Sequence, residues 1–330
     1  MKKFIENLIL LDMNLQLFAE PNTQTTGTAT LSPENKTFYD KYLIATAEPN
    51  LVHDQFGQTR DIPKNGGKTV EFRKFSPLPK LLEPLTEGVT PDGQSLEVTA
   101  ITAEVAQYGG YVTLSDMLEL TAIDDTMLET TKLVGNQAGR TLDTITREVL
   151  NGGTNVIYSG GVVSRDAITE MLTVDNVKRA VTLLKRQNAE KIDGSFVGII
   201  HPDVSYDLTN DPLWEAVKTY DPEDLYAGEI GRIFGVRFCE TTEAKIWEKA
   251  GADSKSVYST LILGANAYGT TKITGGGLEH IVKQKGSAGT ADPLNQRSTI
   301  GWKATKTAVR LVEQYMVRVE SVSTFDGEAN

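Results

Sequence analysis

The segment from Asp124 to Asn151 constrains the fold most, because its pattern predicts one helix too long for a compact core. Apolar or small residues recur at helical spacing along it: Met127, Thr131, Val134, Ala138, Leu142, Ile145 and Val149. Thr126 and Glu129 have the spacing of a capping box, and two glycines after Asn151 favour a left-handed helix end. At about 1.5 Å per residue the helix spans roughly 40 Å, whereas a mean helix has about 11 to 12 residues. We therefore predict a spine helix over residues 124–151.

The composition predicts a soluble globular chain. Of its 330 residues, 39% are hydrophobic and 23% are charged. The net charge of −11 disfavours tight nucleic-acid binding, which needs a clustered basic surface, but permits a shell that encloses nucleic acid without gripping it. The single cysteine, Cys239, excludes a disulfide within the chain, and we expect it on a buried strand.

Neither a targeting signal nor a membrane span is expected. Lys2 and Lys3 precede a short apolar run, but Glu6, Asn7 and Asp12 interrupt it. No stretch approaches the roughly 20 apolar residues that a spanning helix requires.

Two extended segments predict a long β-hairpin. Residues 68–75 form one strand, and residues 94–113 are rich in Val, Thr, Ile and Tyr. Twenty extended residues span roughly 65 Å, more than the diameter of about 50 Å expected for a compact chain of this size. The hairpin should therefore protrude, with Leu82, Glu87, Gly88, Pro91 and Gly93 at its tip.

A two-stranded ribbon is marginal alone in water, so we expect this one to lie on another copy of the chain. The alternative, that these strands join an ordinary β-sandwich, stays open. The predicted contacts between subunits are Glu83, Pro84, Leu85, Glu87, Gly88, Val89, Ile101, Val105 and Tyr108.

Strands and helices alternate without a regular βαβ order, which favours an α+β fold. The glycine-rich segment from Gly269 to Gly277 lacks the ending of a phosphate loop and is interpreted as a turn. His201, Asp203 and Ser205 crowd one strand-to-helix turn, where we expect Asp203 or Ser205 to cap the helix. We predict no catalytic residue, cofactor or metal site, and no enzyme.

The order and spacing of several segments resemble a known family. They are residues 65–72, 85–91, 107–111, 228–236, 292–297 and 301–303, with Ser115 and Asp116. The chain resembles the major capsid proteins of tailed bacteriophages with the Hong Kong 97-type (HK97-like) fold, and most closely the branch named after coliphage N-four.

The resemblance implies a division of the chain into five parts. These are an N-terminal arm and helix (1–55), an extended loop (56–114), a peripheral domain with the spine helix (115–193), an axial domain (194–274) and return strands (275–330).

The resemblance also implies a function. The chain is expected to be a structural subunit of an icosahedral capsid that self-assembles into hexamers and pentamers around double-stranded DNA, which it contacts weakly. Scaffolding, portal or decoration proteins are further expected partners, and no membrane is involved. The expected location is the virion capsid, assembled in the bacterial host cytoplasm. The alternatives are an encapsulin-like nanocompartment shell and a soluble enzyme that uses the segment from Gly269 to Gly277 or the His201 turn.

Overall fold

The computed structural model describes residues 43, 51–62, 68–75, 78–82, 84, 87–88, 90, 92–122, 126–214, 231–272, 278–287, 289 and 292–325. Its α-helices are α1 (Asp116–Thr121), α2 (Thr126–Asn151), α3 (Val174–Arg186) and α4 (Pro202–Thr209). Short 3-10 turns lie at Ser159–Gly161, Arg165–Ala167, Ala252–Ser254 and Glu313–Tyr315. The arm before residue 43 and the turn at residues 65–67 lie outside the described residues.

The strands of these regions form four sheets. They are β1 (Gln58–Arg60), β2 (Thr69–Phe75), β3 (Val98–Glu104), β4 (Ala106–Ser115), β5 (Val156–Tyr158), β6 (Phe196–Ile200), β7 (Gly231–Ile233), β8 (Val236–Glu240), β9 (Ile246–Trp247), β10 (Val257–Leu263), β11 (Tyr268–Thr271), β12 (Leu278–Lys283), β13 (Arg297–Lys306), β14 (Ala308–Arg310) and β15 (Met316–Ser321).

The spine helix is confirmed as α2, a single helix of 26 residues. Of the predicted stripe, Thr131, Val134, Ala138 and Leu142 are buried. The helix ends at Asn151 as predicted, but the predicted left-handed glycine is wrong, since Gly152 has no positive φ. A Cβ on Gly153 would lie 2.7 Å from Oε1 of Glu313, so this carboxylate would have to shift to admit a side chain.

One sheet, in the order β12-β13-β4, covers the spine helix. Val134, Ala138 and Leu142 of α2 pack with Trp302 and Ala304 of β13 in one buried cluster. All ten residues of β4 pair antiparallel with β13. The predicted pairing of residues 94–113 with β2 is therefore wrong beyond Glu104, because β2 has only seven residues and β13 pairs with the rest of that run.

The largest sheet has seven strands, in the order β5-β15-β10-β6-β8-β7 with β9 beside β10. Strand pairs β6/β8 and β5/β15 are parallel and the others are antiparallel. Helix α3 buries its apolar face against this sheet through Val177, Val181 and Leu184. Cys239 lies on β8 as predicted but is only partly buried. The mixed pairing and the helices packed on it form an α+β fold, as expected.

A second three-stranded sheet, β1-β11-β14, lies beside a buried polar network. The His53 backbone N–H and Nδ1 lie 2.7 and 2.6 Å from the two carboxylate oxygens of Asp143 on α2. Lys306 at the end of β13 forms an ion pair with Asp54, and the Tyr268 hydroxyl donates to the His53 carbonyl. The network ties the segment before β1 to the spine helix and to the late strands of the chain.

Candidate assembly surfaces

Strands β2 and β3 form an antiparallel hairpin whose root is anchored in the chain. Their register runs from the pair Thr69 and Glu104 to the pair Phe75 and Val98. Val70, Phe72 and Ala103 are buried at the root, packed near Val309 and Leu311. The Phe72 ring lies directly over Gly269 of β11, where a Cβ would come within 2.4 Å of it.

The hairpin tip, defined as residues 75–98, has no such support. Every described residue from 78 to 100 is exposed, so the tip packs on no other described part of its own chain. It nevertheless carries large apolar side chains: Phe75 (60% exposed), Leu78 (52%), Leu81 (78%), Leu82 (85%), Leu96 (64%) and Val98 (45%). Large apolar side chains exposed in this number along one segment indicate an interaction surface.

The predicted contact residues divide into three groups. Pro84, Glu87 and Gly88 are exposed at the tip. Ile101, Val105 and Tyr108 are partly buried nearer the root, where Val105 packs on the hairpin root and Tyr108 on the cluster under α2. Glu83, Leu85 and Val89 lie outside the described residues.

Most of the large apolar side chains that the tip exposes are absent from the predicted contacts: Phe75, Leu78, Leu81 and Leu96. Leu82, the most exposed of them, is predicted at the tip but not as a contact. The available signal was a run of leucines between prolines, from Pro77 to Leu85, with no alternation that would bury one face.

A second exposed surface, here called the sheet face, is the side of the β12-β13-β4 sheet that points away from α2. At its centre, Ile281, Gly301 and Tyr111 are direct neighbours across the three strands. Ile281 and Tyr111 are 38% and 76% exposed. Gly301 keeps this row flat, since a Cβ there would lie 2.8 Å from the Tyr111 Cβ.

The His201 turn does not form a catalytic group. His201 itself caps α4, its Nδ1 accepting the Asp203 N–H at 3.2 Å, so the predicted caps Asp203 and Ser205 are wrong. Ser205 donates its hydroxyl proton to Glu240, and Asp203 accepts a hydrogen bond from the Tyr258 hydroxyl at 2.9 Å. Burial lowers the pKa of His201, although the carboxylates of Asp203 and Glu240 oppose the shift.

The glycine-rich segment also differs from its predicted turn. Gly269 lies within β11, and residues 273–277 are outside the described part of the chain. Among the residues that the structure describes, no group of three His, Cys, Asp or Glu side chains is arranged to hold a metal ion. No described helix is long and apolar enough to cross a membrane.

Solved structures similar to this chain are phage capsids. The capsid of Ralstonia phage GP4 aligns with a TM-score of 0.67 at 14% identity, covering 95% of this chain and 98% of the other. The cyanophage Pam1 capsid aligns with a TM-score of 0.63 at 15% identity, covering 86% and 93%. The head structure of Helicobacter pylori bacteriophage KHP40 aligns with a TM-score of 0.58 at 12% identity, covering 82% of this chain and 88% of the other. These likenesses show the HK97-like capsid fold.

No curated protein sequence matches the chain. A sequence model of a family described as phage capsid protein matches residues 98–318, about two thirds of the chain. The match includes the spine helix, the sheet face and most of the seven-stranded sheet. It does not favour a soluble enzyme or a nanocompartment shell. The chain therefore belongs to the phage capsid protein family and is a structural, non-enzymatic subunit of a bacteriophage capsid.

Proposed function

We propose that the hairpin tip joins neighbouring subunits of the shell by lying on an adjacent copy of the chain. The observation that carries this proposal is a tip exposed over all its described residues from 78 to 100 and rich in leucine. Burying one such leucine contributes about 1.5–3 kcal/mol. These leucines are exposed in a free subunit and therefore favour association. When a neighbouring subunit covers them, their burial stabilises the shell.

The contact residues first predicted at the tip are part of this proposal. Pro84, Glu87 and Gly88, together with Glu83, Leu85 and Val89 of the same segment, are assigned to the contact with the neighbouring copy. Ile101, Val105 and Tyr108 are assigned to its root side. In such a head-to-tail interface, each subunit contacts the next through two different surfaces. The subunits close into a ring only when the rotation from one subunit to the next is fixed at a suitable angle.

The closed rings are proposed to be hexamers and pentamers of an icosahedral shell that encloses double-stranded DNA. The net charge of −11 supports weak and nonspecific contact with that DNA. Scaffolding, portal or decoration proteins are the further partners proposed, with assembly in the bacterial host cytoplasm.

The five-part division of the chain also remains a proposal. The exposed hairpin supports the extended loop only over residues 69–104 of the proposed range 56–114, and the spine helix supports the peripheral domain (115–193). The seven-stranded sheet takes strands from the peripheral, axial and return segments alike, so these segments share one core. The finer assignment to the coliphage N-four branch rests on the order of the sequence segments, and a sequence model of that branch should match them in the same order.

A pair of substitutions at the tip tests the main proposal. Leu81→Asp with Leu82→Asp places charge in the apolar contact and should leave the fold intact, because both side chains are exposed. The matched control is Val163→Asp, since Val163 is 93% exposed outside the tip. We expect negative-stain microscopy to show closed particles for the wild type and the control but not for the tip variant. Far-UV circular dichroism checks folding, and normal particles from a folded tip variant would refute the proposal.

A further inference from the structure

We propose that the turn between β7 and β8, together with the cationic face of α3 beside it, binds an acidic surface of a neighbouring copy of the chain. This region, here called the turn surface, is the solvent-exposed side of residues 174–193 and 231–236. The contact rests on the proposed function, a shell of repeated copies, but it does not depend on the hairpin tip. It adds a second contact between subunits.

The turn has an unusual residue at its first position. Strands β7 and β8 pair antiparallel up to Ile233 opposite Val236, so Phe234 and Gly235 form a two-residue turn. Both residues have a positive φ, 50° and 81°, as a type I′ turn requires. Asparagine or aspartate is preferred at the first of these positions, because a bulky side chain is unfavourable in the left-handed region. Phe234 therefore occupies a position that the turn geometry favours for asparagine.

The core of the subunit does not account for this phenylalanine. Ile233 and Val236 are buried and hold the turn on the sheet, whereas the Phe234 side chain is 42% exposed. Its ring centroid lies 4.6 Å from Nζ of Lys178 on α3. A residue in an unfavourable backbone conformation that presents a large apolar side chain to solvent is typical of a functional surface.

Cations surround the Phe234 ring. Nζ of Lys191 lies 3.9 Å from the position that a Cβ on Gly235 would take, so this lysine borders the turn from the side opposite to the sheet neighbours. Residues 174–193 and 231–236 contain six cations and three anions, a net charge of +3. Since the whole chain carries −11, all its other residues together carry −14. The cations are Lys178, Arg179, Lys185, Arg186, Lys191 and Arg232, and all but the first are exposed.

A second copy of the chain is the occupant that these features favour. Aromatic side chains and arginine are enriched at contacts between proteins, and a buried aromatic anchor often dominates their binding energy. The phosphates of duplex DNA would contact the cations alone and would leave the ring exposed. Copies of the subunit surround each other in a shell, and outside the turn surface they are acidic. Opposite charges then orient the contact that the Phe234 ring anchors.

Site-specific photo-crosslinking identifies the partner directly. The photoreactive residue p-benzoylphenylalanine replaces Phe234 and keeps an aromatic ring in the turn. Particles produced without phage DNA are treated with nuclease and irradiated. We expect covalent dimers of the chain on denaturing gels. The matched control carries the same probe at Val163, which is 93% exposed outside the turn surface, and should remain monomeric. Intact particles in which the probe at residue 234 gives no dimer would overturn the inference.

Two substitutions of Phe234 separate the contact from the fold. Phe234→Asn supplies the residue that the turn prefers, so the urea midpoint of the free subunit should not fall. Loss of the ring should raise the subunit concentration needed for assembly by about tenfold or more. Phe234→Tyr keeps the ring and should assemble like the wild type. A Phe234→Asn chain that assembles normally, or one whose urea midpoint falls, would assign the ring no role between subunits.

Charge reversal on α3 tests the electrostatic part of the contact. Lys185→Glu with Arg186→Glu should raise the same assembly concentration, since it sets like charges against an acidic partner. Both side chains are exposed, so circular dichroism should show an unchanged fold. The matched control reverses Lys249 and Lys255, two exposed lysines elsewhere on the subunit, and should assemble like the wild type. Normal assembly of the α3 variant with reduced retention of DNA would assign these cations to DNA phosphates and overturn the inference.

These experiments distinguish the turn surface from the hairpin tip. If the Leu81→Asp, Leu82→Asp variant assembles normally while the probe at residue 234 gives dimers, the proposed role of the tip fails and the turn surface stands. If the tip variant forms no particles and wild-type particles carrying the probe give no dimer, only the turn surface is overturned.

Discussion

Replacing Lys306 with methionine should destabilise the subunit strongly, because it leaves a carboxylate inside the fold without its cation. The Lys306 side chain is fully buried, and that of Asp54 is 11% exposed. Burial lowers the pKa of Lys306, while the neighbouring Asp54 and Asp143 oppose the shift and favour its charged form. The ion pair with Asp54 therefore offsets a large desolvation cost.

Asp54 would retain only neutral donors in the variant. Its Oδ1 accepts from the Thr146 hydroxyl at 2.6 Å and from the Thr270 hydroxyl at 3.2 Å. Breaking a buried ion pair by removing one partner costs about 3–5 kcal/mol. A domain has about 5–15 kcal/mol of stability in total, so a loss of this size removes a large part of it.

The double variant Lys306→Met, Asp54→Asn separates the ion pair from the other contacts of both side chains. The asparagine keeps an oxygen for the two threonine hydroxyls and removes the unpaired charge. We expect the double variant to be more stable than the sum of the single effects predicts, by about 2 kcal/mol.

The assay is urea unfolding of unassembled subunits, in the Leu81→Asp, Leu82→Asp background, followed by circular dichroism. Amide exchange of β2 should also accelerate in Lys306→Met, because the network lies beside the sheet on which the hairpin root packs. This account of the network would be refuted if the single variants lowered the free energy of unfolding by less than about 1 kcal/mol. It would also be refuted if the effects of the two substitutions on that free energy were additive in the double variant.

Three further outcomes are expected. Burial lowers the pKa of His201, so the unfolded chain binds a proton at this imidazole more readily than the folded chain does. The neutral His201 side chain therefore contributes its full share of the free energy of unfolding above a pH of about 6.5, and that share is lost as pH falls below it. His201→Asn keeps a capping acceptor, and its unfolding midpoint should therefore fall less than that of the wild type between a pH of about 7.5 and about 5.5; equal slopes would contradict the argument. Glu320→Gln should lower stability in urea unfolding by about 3 kcal/mol or more, because buried Glu320 accepts from Arg165 at 2.7 and 2.8 Å; a neutral effect would mean that the pair adds little. Gly269→Ala should cost about 1–3 kcal/mol in the same measurement by displacing Phe72, whereas Gly93→Ala, with open space at its Cβ, should have almost no effect; equal effects would contradict the packing argument.

Local sequence patterns predicted the helices and strands in which the spacing of apolar residues marks the buried face. The spine helix has a 3.6-residue apolar period, and Val134, Ala138 and Leu142 of that stripe pack against β13. The hairpin strands were likewise recognisable from β-branched residues. The helix end before the two glycines was predicted correctly, but the left-handed conformation expected of them was not, since neither has a positive φ.

Contacts between distant parts of the chain could not be predicted from these patterns. Lys306 and Asp54 are 252 residues apart, and His53 and Asp143 are 90 apart, so their spacing gives no signal. All six residues of β15 are buried, and its one carboxylate, Glu320, is paired within the core with Arg165 and Arg318.

The sheet face, a candidate assembly surface, could not be predicted from local sequence patterns either. It exists only when β4, β12 and β13 meet, and residues from three separate segments then form one groove. The tip, in contrast, is one continuous segment, and sequence patterns could locate it.

A cryo-electron microscopy reconstruction of assembled particles tests the central claim most directly. We predict that residues 78–98 of each subunit lie on an adjacent subunit, with Leu81, Leu82 and Leu96 removed from solvent. A shell in which this segment remains exposed, or folds onto its own subunit, would contradict the account.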